Sequence, residues 1–94
     1  MPGKEYRLEV TRSARKDLVG LPEKVSRQIE KAIDRLFSRL LAGQRPQDMK
    51  TVHGRPHTYR VDTGEYRVLF SLDETAKVIT IFRVRHRKHV YRNL

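Results

Sequence analysis

The sequence predicts an α+β domain of order βααβββ, with two N-terminal helices packed on one face of a mostly antiparallel sheet and a short C-terminal segment. Three observations carry this. Residues 22–41 repeat apolar side chains at helical spacing. Residues 58–85 divide into three β-rich runs separated by turn residues. Residues 5–11 alternate apolar and polar side chains, as a half-buried strand does. With no internal repeat or composition break in its 94 residues, the chain reads as one domain, 1–94.

In the first strand, EYRLEVT, Tyr6, Leu8 and Val10 share one face and Glu5, Arg7 and Glu9 the other. Ser13 is placed to cap a short helix over 14–19, and Gly20 to end it. Pro22 suits the first turn of a second helix, with Glu23 at its positive end. Val25, Ile29, Ala32, Ile33, Leu36, Phe37 and Leu40 form its core stripe, and Gly43 follows its end. Lys24, Arg27, Lys31, Asp34 and Arg35 make the opposite, solvated face. Residues 43–58 hold two Gly, two Pro and little periodicity, which predicts a loop. Strands follow at 58–62, 65–72 and 77–85, with a tight turn at Thr63-Gly64 and a longer one from Asp73 to Ala76. The last strand, KVITIFRVR, is apolar on both faces in its first half, as expected of a central strand.

Charge is the informative total: 21 Lys plus Arg against 11 Asp plus Glu, a net +10. Such a field favours nucleic acid as a partner, ahead of an acidic protein segment or an anionic membrane. There is no Cys, which excludes disulfides, a thiol nucleophile and thiolate metal ligation, and permits a reducing compartment. The N-terminal residues lack a signal-peptide apolar run, and no segment approaches the length of a membrane span, so a cytoplasmic location is expected. His86-x-x-His89 and His53-x-x-x-His57 have ligand-like spacings, but nothing completes a four-ligand shell. No metal and no cofactor are expected.

A two-residue turn at Thr63-Gly64 makes Asp62 face Glu65, Val61 face Tyr66 and Arg60 face Arg67. Tyr59, Val61, Tyr66, Val68, Phe70 and Leu72 then pack under the helices, and Arg60, Asp62, Glu65 and Arg67 share the other face. Arg83 and Arg85 point the same way as each other, with Arg87 in phase if the strand continues. Two readings stand. The charges pair among themselves, with Asp62 and Glu65 offsetting the like-charged arginines. Or the guanidiniums converge on an anion, which they grip in bidentate fashion.

The stretch TYRVDTGEYRVLFSLD, followed by VITIFRVRHRKHVYRNL, resembles the C-terminal half of the RelE/ParE toxin superfamily, and YRLEVTRSARKDLVGLP resembles its opening strand and helix. The resemblance covers nearly the whole chain and points to the RelE-like, mRNA-interferase branch. It implies a toxin of a type II toxin–antitoxin system: a metal-independent, ribosome-dependent endoribonuclease that cleaves mRNA in the A site and so inhibits translation. It also implies a cognate antitoxin, the ribosome and mRNA as partners, with a possible toxin–antitoxin hetero-oligomer. The implied catalytic set is Arg60, Arg67, Arg87 and Tyr91. Lys50, Arg55, Arg83, Arg85, His86 and Lys88 are the candidate RNA- or ribosome-binding residues. Asp62 departs from the pattern, standing where many RelE-like enzymes carry a second basic residue. ParE-like members share the fold, bind DNA gyrase and typically lack the basic set; that is the alternative.

Overall fold

The computed structural model describes residues 5–89. The alternating N-terminal stretch forms β1 (Arg7–Val10). Helix α1 (Arg12–Val19) begins at Thr11, whose hydroxyl accepts from the Ala14 N–H at 3.2 Å, so the cap lies two residues before the expected Ser13. Helix α2 (Glu23–Leu41) starts just after Pro22 and buries Ile29, Ala32, Ile33, Leu36 and Leu40, the expected stripe. The stretch expected as loop contributes a two-residue strand, β2 (Lys50–Thr51), which pairs with β3 (Thr58–Thr63). Strands β4 (Tyr66–Asp73) and β5 (Val78–His86) complete the sheet.

The strand order is β1-β5-β4-β3-β2. Pairing is antiparallel throughout except β1 with β5, which is parallel because both helices intervene as a crossover before the chain returns. Val61, Val68, Phe70, Leu72, Ile79, Ile81 and Val84 meet Ala14 and the α2 stripe in one core on the helical side of the sheet. The opposite face carries the charged residues. Among the described residues, no helix is long and apolar enough to cross a membrane.

The β3–β4 turn differs from expectation. Thr63 pairs with Tyr66, so the loop is Gly64-Glu65 rather than Thr63-Gly64. Gly64 takes φ +60° at the first loop position, the left-handed conformation that glycine adopts without steric cost. The slip moves each residue's partner by two positions, which preserves the face and changes only who opposes whom. Arg60 therefore faces Leu69, not Arg67, and Arg67 faces Asp62.

A second irregularity sets the charged face. Leu69 pairs with Arg83 but Phe70 pairs with Ile81, leaving Phe82 as an extra residue in β5. Strict alternation from Ile79 and Ile81 would carry Arg83 and Arg85 into the core. The bulge reverses the phase, so that Val84 is buried and the two arginines stand on the open face.

Candidate functional site

The open face is built from β2 to β5. Two like-charged pairs stand directly opposite across strands: Lys50 with Arg60, and Arg67 with Arg85. Leu69 lies between Arg60 on one side and Arg83 on the other and is fully buried, although it points away from the helices. Long arginine stems are suited to covering such a residue while their heads stay near water.

Three carboxylates organise the cations. Asp62 is the first. Its Oδ1 is 3.5 Å from Arg60 Nε and 3.5 Å from Arg67 Nε, and its Oδ2 is 3.7 Å from Lys50 Nζ. Among the described residues Oδ1 accepts no hydrogen bond, so these contacts are ionic rather than directional. Arg60 and Arg67 thus lie diagonally on one face with a carboxylate between them.

Asp17 of α1 is the second. Its Oδ2 accepts the Val84 N–H at 2.9 Å, just beyond the last residue of β5 that β1 covers. Its Oδ1 takes Arg83 Nη1 at 3.3 Å and stands 4.0 Å from Arg85 Nε. One helical carboxylate therefore closes the free edge of β5 and anchors both arginines that the bulge exposes.

Glu65, in the turn, is the third. Its carboxylate lies 3.4 Å from Arg87 Nη2 and 3.5 Å from His86 Nε2, and its carbonyl accepts the Arg87 N–H at 2.8 Å. Arg87 lies past the end of β5, on the turn side of the sheet. His86 points to the helical side, as alternation requires, with its ring edge-on to Tyr66 at 5.4 Å. Its Nδ1 accepts the Lys88 N–H at 3.1 Å, which leaves the Nε2 proton directed at Glu65.

The expected residues therefore gather in three linked groups. Lys50, Arg60 and Arg67 surround Asp62; Arg83 and Arg85 meet Asp17; Arg87 and His86 meet Glu65. The direct pairing of Arg67 with Arg85 joins the first two groups. Arg55 lies with its guanidinium 5.9 Å from the Phe82 ring centre, and Lys88 is exposed beside His86. Tyr91 lies outside the described residues. Among the described residues no cluster of His, Asp and Glu suits a metal ion.

Sequence reasoning missed Asp17. A signal was available: Asp17 falls three residues after the buried Ala14 and beside Leu18, on the inward stripe of α1. An acid on a core-facing stripe asks for a partner.

Two helices packed on a five-stranded, mostly antiparallel sheet match the fold of RelE-like toxins. A family model for the ParE toxin of type II toxin–antitoxin systems, parDE, matches residues 8–91. The chain belongs to this family of the RelE/ParE superfamily. Among solved structures, it is similar to the toxin–antitoxin complex RelBE2 of Mycobacterium tuberculosis at 29% identity and TM-score 0.68, covering 89% of this chain and 100% of that one. It is similar to the RelE–RelB complex of Pyrococcus horikoshii at 27% identity and TM-score 0.70, covering 89% and 97% of the two chains. The chromosomal ParDE system of P. aeruginosa shares the fold at 20% identity and TM-score 0.64, over 87% and 96%. No curated protein matches the chain.

Proposed function

We propose that this toxin is a metal-independent, ribosome-dependent mRNA endonuclease of the RelE type, acting in the cytoplasm on mRNA in the ribosomal A site. The carrying observation is that Arg60 and Arg67 converge on one sheet face, each with its Nε 3.5 Å from the same carboxylate oxygen. Two guanidiniums that converge on a carboxylate can converge on a phosphate. The complexes of Mycobacterium tuberculosis and Pyrococcus horikoshii, at 29% and 27% identity, are both RelE-type, which supports the same reading.

In the reaction, the RNA 2′-oxygen loses its proton and bonds to the adjacent phosphorus. The bond from phosphorus to the 5′-oxygen breaks, and that oxygen takes up a proton. The products are a 2′,3′-cyclic phosphate and a 5′-hydroxyl. Arg60, Arg67 and Arg87 stabilise the negative charge that grows on the phosphoryl oxygens. Arginine stays protonated near neutral pH, so it serves as an electrostatic group rather than as the base. Tyr91 takes the remaining place in the implied set, stacking on a base or helping proton transfer. A cognate antitoxin neutralises the toxin by covering the basic face.

A second reading rests on a specific observation: each group of cations is tied to a carboxylate, which lowers the positive potential a substrate would meet. That favours a ParE-type, non-nuclease toxin acting on DNA gyrase. Primer extension on an mRNA under translation in vitro separates the two. The nuclease reading expects ribosome-dependent cuts within codons, reduced about 10²–10³-fold by Arg67→Ala. Intact mRNA with continuing translation overturns it, and inhibition of gyrase supercoiling then supports the second.

A further inference from the structure

We propose that Asp62 is a resident anion that competes with RNA phosphate for Lys50, Arg60 and Arg67, and so restrains the affinity of this face for RNA. The inference takes the ligand's identity from the RNA-cleaving reading; the competition itself rests on geometry.

Asp62 occupies the place where a phosphate oxygen between Arg60 and Arg67 would sit. Its Oδ1 is equidistant from the two Nε atoms at 3.5 Å, and Oδ2 is 3.7 Å from Lys50 Nζ. Because Oδ1 accepts no hydrogen bond among the described residues, that oxygen meets both guanidiniums through charge rather than through a directional bond. An acceptor reaches the site from the outer side, where the Asp62 side chain is 31% exposed and Lys50 59% exposed, while Oδ1 and Arg60 Nε are themselves buried. Aspartate is also a poor strand residue, so its position inside β3 owes nothing to β-propensity. Three cations around one carboxylate leave a net two positive charges, and an entering phosphate meets repulsion from Asp62 as well as attraction.

The probe is a fluorescein-labelled single-stranded RNA, 2′-O-methylated throughout so that it cannot be cleaved. Its binding to the full chain is followed by anisotropy across a salt series. Asp62→Asn is expected to bind about fivefold more tightly near physiological salt. The slope of log K against log salt should steepen by about 0.7, the contribution of one more effective charge on a single strand. Asp62→Thr, neutral and suited to a strand, should do the same if Asn perturbs the hairpin. Asp62→Glu keeps the charge and should leave the slope unchanged. A purely structural ion pair would move the melting temperature but not the slope. Binding by folded neutral variants at the wild-type slope overturns the competition and leaves the RNA reading standing. Absence of RNA binding by wild type and variants, even at low salt, overturns both.

Discussion

At the scale of single residues, Asp17 shows how one side chain serves fold and site together. It is the acceptor for a strand amide, the partner of two arginines and the link from α1 to β5. Its side chain is only 14% exposed, so removing it strands Val84 N–H and Arg83 in a place water reaches poorly. Asp17→Ala is therefore expected to destabilise the protein by about 2–4 kcal/mol, measured by urea unfolding. Asp17→Asn keeps an acceptor for the amide while losing the charge, and should cost about half as much. Equal stability of Asp17→Ala and wild type would show that the arginines find other partners at no cost. Asp62 and Glu65, more exposed and held by ionic contacts, are expected to contribute less to stability and more to the potential of the face.

At the scale of elements, the bulge at Phe82 decides what the last strand presents. Ile79, Ile81 and Val84 all enter the core only because one residue is inserted between the second and third. Deleting Phe82 removes the extra residue and leaves Ile81, Arg83, Val84 and Arg85 in strict alternation, with Val84 still in the core and both arginines still on the open face. Deleting Val84 instead shifts the phase and turns one of the two arginines toward the core, where an unpaired guanidinium costs several kcal/mol, a large part of the stability of a domain of this size. Deletion of Phe82 is expected to keep a cooperative thermal transition and deletion of Val84 to abolish it, as followed by circular dichroism. Deletion of Thr75, in the exposed turn before β5, should leave it largely intact. A cooperative fold without Val84 would show that the strand can slip its register instead. This bulge also explains what the sequence made legible. The α2 stripe and the alternating strands were readable because burial imposes a period on side chains. The face shared by Arg60 and Arg67 was readable for the same reason. Their direct opposition was not, because it depends on whether Gly64 takes the first or second loop position, which conserves the alternation either way. The two-residue β2 was too short to carry a period, and the Asp17 contact joins residues 66 apart in sequence, a pairing no local pattern encodes.

At the scale of the whole molecule, the net charge of +10 overstates what the candidate face offers an anion. Among the described residues on that face, Lys50, Arg60, Arg67, Arg83, Arg85 and Arg87 meet Asp17, Asp62 and Glu65, and these nine groups sum to a net three positive charges. Each phosphate neutralised on a single strand contributes about 0.7 to the salt slope. If all six cations acted independently, the slope for single-stranded RNA would be about −4, and affinity would fall several-hundredfold between about 50 and about 200 mM salt. With three carboxylates in place the expected slope is about −2, and the fall is roughly twentyfold over the same interval. Anisotropy of the uncleavable RNA with the wild-type chain measures this directly. A slope near −4 would mean that RNA displaces all three carboxylates, so that the ion pairs are a resting arrangement only. A slope near −2 would mean that the carboxylates stay in place when RNA binds. The toxin then meets RNA with a muted field, and its action depends on the ribosome to deliver mRNA rather than on capture of free RNA from solution.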